Sequence, residues 1–104
     1  MAPILVFDIE TIPDVAGLRR VWDLPPDTAD AAVVELASQR RRQATGSDFL
    51  PCHLHRVVAI SCALRDRDSV RVWSLGTAKD GEAELVKRFF DGIDKYTPQL
   101  VSWN

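Results

Sequence analysis

The sequence has no excess of basic charge. Its 13 Lys and Arg face 15 Asp and Glu, a formal net charge of −2, so no overall positive field draws in a polyanion. Any attraction to nucleic acid must come from local Lys and Arg groups or from a bound metal. Long apolar runs are also missing. None reaches the length of a transmembrane helix, and the start, Met1-Ala2-Pro3, lacks the basic residues of a signal peptide. A cytoplasmic location is therefore expected. Cysteine is scarce. Cys52 and Cys62 are ten residues apart; on one extended segment that is roughly 30 Å, far beyond disulfide reach, so reduced thiols are expected. Cys52, His53 and His55 do not have zinc-ligand spacing, because alternation puts Cys52 opposite the two histidines. Internal repeats and low-complexity tracts are absent. With 104 residues, 46% hydrophobic and 27% charged, the chain is expected to be one soluble α/β domain with a modest core.

The first apolar run is Ile4-Leu5-Val6-Phe7-Asp8-Ile9-Glu10-Thr11. It predicts a central, buried strand from about Pro3 to Ile9. In a strand, positions 8 and 10 share a face, with Cα atoms roughly 6.5 Å apart. Two carboxylates on one face repel unless a cation lies between them, and hard ions such as Mg²⁺ take oxygen ligands. The pair thus reads as part of a metal site, or as two solvated acids at a strand end.

Pro13 breaks the strand, and residues 14–27 read as irregular. Asp27 or Thr28 is expected to cap a helix to about Gln43, with Ala29, Ala32, Val33, Leu36 and Ala37 as its apolar stripe. Gly46 is a stop signal. The triplet Arg40-Arg41-Arg42 either complements the helix dipole as a solvated face or contacts backbone phosphates. After a loop over 47–55, the apolar run from Arg56 to Leu64 predicts a strand covered on both faces. The turn at Arg65–Ser69 predicts an antiparallel hairpin with a third strand over 70–75. Leu85, Val86, Phe89, Phe90 and Ile93 mark one face of a helix from about Glu82 to Lys95. A fourth strand follows over Gln99–Trp103. Trp73 and Trp103 are expected to pack in the core or at its rim, rather than stack on bases. A helix between strands three and four lets strand four run parallel to strand one, giving the order 3-2-1-4.

With Asp8-Ile9-Glu10-Thr11 on the first strand, this arrangement resembles the ribonuclease H-like fold of the DnaQ-like 3′–5′ exonucleases. It looks most like the predicted exonucleases related to the proofreading domain of B-family DNA polymerases. Pro51 with His55-Arg56-Val57-Val58-Ala59-Ile60-Ser61, and Pro98-Gln99-Leu100-Val101-Ser102-Trp103-Asn104, resemble two further segments of that group. The resemblance implies a mixed sheet with an antiparallel second strand and flanking helices, incomplete at the C-terminus. It also implies a metal-dependent exonuclease acting on single-stranded 3′ ends, most readily of DNA. Two Mg²⁺ or Mn²⁺ ions would clamp the phosphate. Asp8 would bridge both ions and Glu10 would bind one; these two are the expected catalytic and metal residues. Thr11 would lie near the terminal nucleotide, and Asn104 would shape the site by hydrogen bonding. The family uses four acids, and the later motifs do not appear here. Residues 1–104 are accordingly expected to be the N-terminal portion of a longer domain, inactive by itself. The competing expectation is a nuclease-like module that binds nucleic acid or a protein without cutting.

Overall fold

A computed structural model describes residues 2–77 and 79–102. The elements are β1 (Ile4–Pro13), α1 (Val15–Trp22), α2 (Asp30–Thr45), a 3₁₀ turn (Cys52–Leu54), β2 (His55–Asp66), β3 (Ser69–Leu75), α3 (Glu82–Tyr96) and β4 (Gln99–Ser102). The chain divides into two compact units. One comprises the described residues of Met1–Thr11 and Val57–Asn104; the other is Ile12–Arg56.

The first unit is a four-stranded mixed sheet in the order β3-β2-β1-β4, the order read from the sequence. β1 and β4 are parallel, from Ile4 opposite Gln99 to Phe7 opposite Ser102. The Gln99 N–H donates to the Pro3 carbonyl at 2.8 Å and prolongs this ladder. β2 and β3 are antiparallel, from Ile60 opposite Leu75 to Asp66 opposite Ser69. Arg67 makes the tight turn between them with a left-handed φ of 58°.

Helix α3 lies on one face of this sheet. Leu85 and Phe89 enter a core with Leu5, Ile60, Cys62 and Leu64, and the Phe7 and Phe89 rings meet at 5.0 Å. The Glu82 carboxylate, in the first turn of α3, accepts the Val57 N–H at 2.6 Å and ties helix to strand. At the other end Thr97 adopts a left-handed φ of 43° and donates its N–H to Ile93. Gly76, between β3 and α3, has φ +108°, and a Cβ there would stand 2.5 Å from the Val58 carbonyl. Only glycine fits that backbone without displacing β2.

Three expectations for this unit change. β1 is central but not covered on both faces, since Val6 is 47% exposed. β2 alternates: Ile60, Cys62 and Leu64 are buried while Ser61 is exposed. In both strands α3 covers one face, so only alternate residues are shielded. On α3 itself, Phe90 is 56% exposed; it meets Phe89 edge-on at 5.8 Å rather than joining the core. Trp73 packs at the core's rim, as expected. Trp103 lies outside the described residues.

The second unit corrects the sequence reading more. Val15–Trp22, expected to be irregular, is a helix. It is only two turns long and carries Gly17, so propensity alone would not hold it. Burial does. Leu18 packs with Val33 and Ala37 of α2, and with Leu50 and Leu54. Arg19 adds bonds to the Thr28 carbonyl at 2.6 Å and to Asp30 Oδ1 at 2.7 Å. Helix α2 starts later than expected, with Ala29 as its N-cap and no side-chain cap, and stops at Gly46 with φ 83°. Of its expected stripe, Val33 and Ala37 are buried, while Ala29 and Ala32 are exposed. The arginine triplet holds structure together. Arg40 lies over the Trp22 ring at 5.1 Å, Arg41 Nε donates to the Phe49 carbonyl at 3.1 Å, and Arg42 pairs with Asp48 at 3.3 Å.

Candidate active site

The alternation of β1 decides where its acids go. Leu5 is buried and Phe7 packs against Phe89, so both point toward α3. Val6, Asp8 and Glu10 therefore point to the opposite face, and both acids are exposed. Val101 on β4 pairs with Val6 and shares that face. Among the described residues the β1–β4 pairs run as far as Phe7 opposite Ser102. Asp8 is the next residue of β1, which continues to Pro13, and so lies toward the strand's carboxyl half. This is the strand next to which the sheet order reverses, and open α/β sheets build ligand sites at such ends.

Among the described residues, neither the Asp8 nor the Glu10 carboxylate makes a hydrogen bond or an ion pair. Two exposed carboxylates held on one face, with no side-chain cation among the described residues paired to them, are hard oxygen donors suited to Mg²⁺ or Mn²⁺. They fit part of a ligand set. No group of three or more His, Cys, Asp and Glu able to hold an ion occurs among the described residues. Thr11 follows on β1 and is exposed; Asn104 lies outside the described residues.

Perturbed titrating groups lie away from these acids. The Arg71 guanidinium, hydrogen-bonded to the Tyr96 hydroxyl at 3.1 Å, holds that phenol below its usual range, with Lys95 adding to the effect. Burial pushes the Cys62 thiol up; Cys52 is a free, exposed thiol. The sequence reading also missed a cleft of about 540 Å³ in the second unit, lined by Ile12, Pro13, Asp14, Val15, Arg19 and Arg56 among others. Its signal was hidden because the cleft depends on α1. Its charges are balanced; Arg19 Nη2 is committed to Thr28 and Asp30, while Arg19 Nη1 is buried without a hydrogen-bond partner among the described residues.

A family model described as a predicted 3′–5′ exonuclease related to the exonuclease domain of PolB matches residues 47–104, just over half of the chain. The chain belongs to this exonuclease family. The matched stretch holds β2, β3, α3 and β4, and with them the second and third segments singled out in the sequence. β1, with Asp8 and Glu10, lies before it. No curated protein and no solved structure matches the chain. Exonucleases of this kind generally use divalent metals and act on nucleic acid. Among the described residues no helix is long and apolar enough to cross a membrane.

Proposed function

We propose that the chain serves a metal-dependent 3′–5′ exonuclease domain that hydrolyses phosphodiesters at single-stranded DNA ends, in the cytoplasm. The observation that carries this is the pair of exposed carboxylates, without a partner among the described residues, on one face of the central strand, in a chain of the exonuclease family. Asp8 and Glu10 are the residues that would hold Mg²⁺ or Mn²⁺. Bound there, the ion would polarise the phosphoryl group and acidify a water. The protein's part is to fix the two carboxylates on a rigid strand rather than a loop, so that little reorganisation is needed on binding. Thr11 is assigned to the terminal nucleotide and Asn104 to shaping the site. Two carboxylates fall short of the six oxygens these ions prefer, so the 104 residues by themselves are assigned weak metal affinity and no turnover. That same shortage favours a second reading, a nuclease-like module that binds without cutting.

The test compares the full product of the reading frame that encodes this chain with its Asp8→Ala and Glu10→Ala variants. Oligonucleotides blocked at the 3′ or the 5′ end are digested with Mg²⁺ or Mn²⁺ and resolved on a gel. The expected result is shortening from free 3′ ends only, lost in Asp8→Ala and crippled in Glu10→Ala. Metal-independent cleavage, or full activity in Asp8→Ala, refutes the mechanism. Metal-dependent oligonucleotide binding without any cleavage supports the module.

A further inference from the structure

We infer that Phe49, backed by His55 and flanked by Arg41, is a base-stacking platform for single-stranded nucleic acid. The choice of ligand rests on the exonuclease reading; the platform itself rests on the geometry of the second unit. Phe49 is 67% exposed, more than any other Phe, Trp or Tyr among the described residues. A lone exposed Phe is ordinary, but this one is held on three sides. Its N–H donates to Ser47 Oγ at 3.2 Å, and its carbonyl accepts Arg41 Nε at 3.1 Å. Its ring lies 5.0 Å from the His55 ring, tilted by 30°. That imidazole is itself fixed, because Nε2 donates to the Leu50 carbonyl at 3.0 Å.

An exposed ring with restrained backbone and a ring behind it has little freedom to lose when a base stacks on it. The surrounding charge suits a phosphodiester. Asp48 is neutralised by Arg42 at 3.3 Å. Arg41, among the described residues, spends only its Nε, on the Phe49 carbonyl. Its terminal nitrogens keep their donors, on a guanidinium tied to the backbone of Phe49. An exposed ring and a guanidinium with donors to spare on neighbouring backbone are the pairing that non-sequence-specific single-strand binders use, with the ring taking the base and the cation the backbone. A flat apolar protein partner would have no need of the guanidinium.

The test uses the 104-residue chain and two fluorescein-labelled probes of about 15 nucleotides. One is oligothymidylate; the other is an abasic strand with the same number of phosphates. Anisotropy should show tighter binding of the thymidylate by roughly 5- to 150-fold, the span of one base–aromatic stack. Phe49→Ala should bring the thymidylate down to the abasic level, while Phe49→Trp keeps the preference and adds indole emission quenched by thymidylate alone. Arg41→Gln should weaken both probes and flatten the salt dependence. Equal binding of both probes by the wild type, or thymidylate binding unchanged in Phe49→Ala, overturns the platform. Because Phe49 is exposed, circular dichroism should show that Phe49→Ala folds. Failure here leaves metal-dependent 3′ shortening, and its loss in Asp8→Ala, untouched, so the two readings fail separately.

Discussion

Neutralising Asp8 should stabilise the protein without metal and destabilise it with metal, and the sizes follow from the strand. Asp8 and Glu10 are exposed residues on one face of β1. At a separation of roughly 6.5 Å, two unit charges in water repel by about 0.6 kcal/mol. At an ionic strength of about 0.15 M, screening roughly halves this. Asp8→Asn keeps the shape and removes the repulsion. In EDTA it should therefore be more stable by about 0.3–0.6 kcal/mol, or roughly 1–5 °C in melting temperature for a chain of this size. With about 10 mM Mn²⁺ and a dissociation constant on the order of 1 mM, the wild type gains about 1.4 kcal/mol by mass action, whereas the variant, with one carboxylate left, gains little. The stability order should then reverse. Urea titrations followed by circular dichroism, with and without Mn²⁺, read both differences. A variant that loses more than about 1 kcal/mol in EDTA would mean that Asp8 has a structural partner. An identical Mn²⁺ shift in both proteins would mean that the ion does not bind at this pair. Either result refutes the site.

Two glycines should respond oppositely to the same substitution. Gly76→Ala forces a Cβ to 2.5 Å from the Val58 carbonyl at φ +108° and should cost at least roughly 1–3 kcal/mol. Gly92→Ala, inside α3 with nothing within 4 Å of its added Cβ, should gain about 0.5–1 kcal/mol in thermal melts. Tyr96 is the single tyrosine, so absorbance at alkaline pH reads it alone. Its midpoint should lie below that of a free phenol and rise in Arg71→Ala. Because the folded pKa is depressed, this contact's contribution should be full above the unfolded pKa, near 10, and fade as pH falls through the folded value.

The sheet was legible from patterns that burial enforces. Ile60, Cys62 and Leu64 alternate with residues that need no shielding, and the hairpin into β3 follows from a charged turn too short for a crossover. The reading of β1 and β2 as strands covered twice failed because an apolar run records what a strand tolerates, not what packs on it. Val6 and Val72 are apolar and exposed. α1 was illegible for a different reason. Val15–Trp22 has no side-chain cap and contains Gly17, and the information that makes it a helix resides in Leu18's distant partners Val33, Leu50 and Leu54. No local window contains that.

The candidate site divides the same way. That Asp8 and Glu10 share a face was legible because i, i+2 spacing on a strand is a geometric fact once the strand is granted. They lie before the stretch that the family model matches, residues 47–104, so that match does not speak for them directly. The topology provides the link. β4, inside the matched stretch, pairs in parallel with β1 from Ile4 to Phe7, and β2, also inside it, is β1's other neighbour. β1 is therefore fixed on both edges by strands the family defines, and its phase is fixed by Phe7 against Phe89. With edges and phase set, Asp8 and Glu10 have only one face to occupy. A one-residue slip of β1 would carry both acids into the α3 core, where two unpaired carboxylates would cost far more than the strand's hydrogen bonds could return.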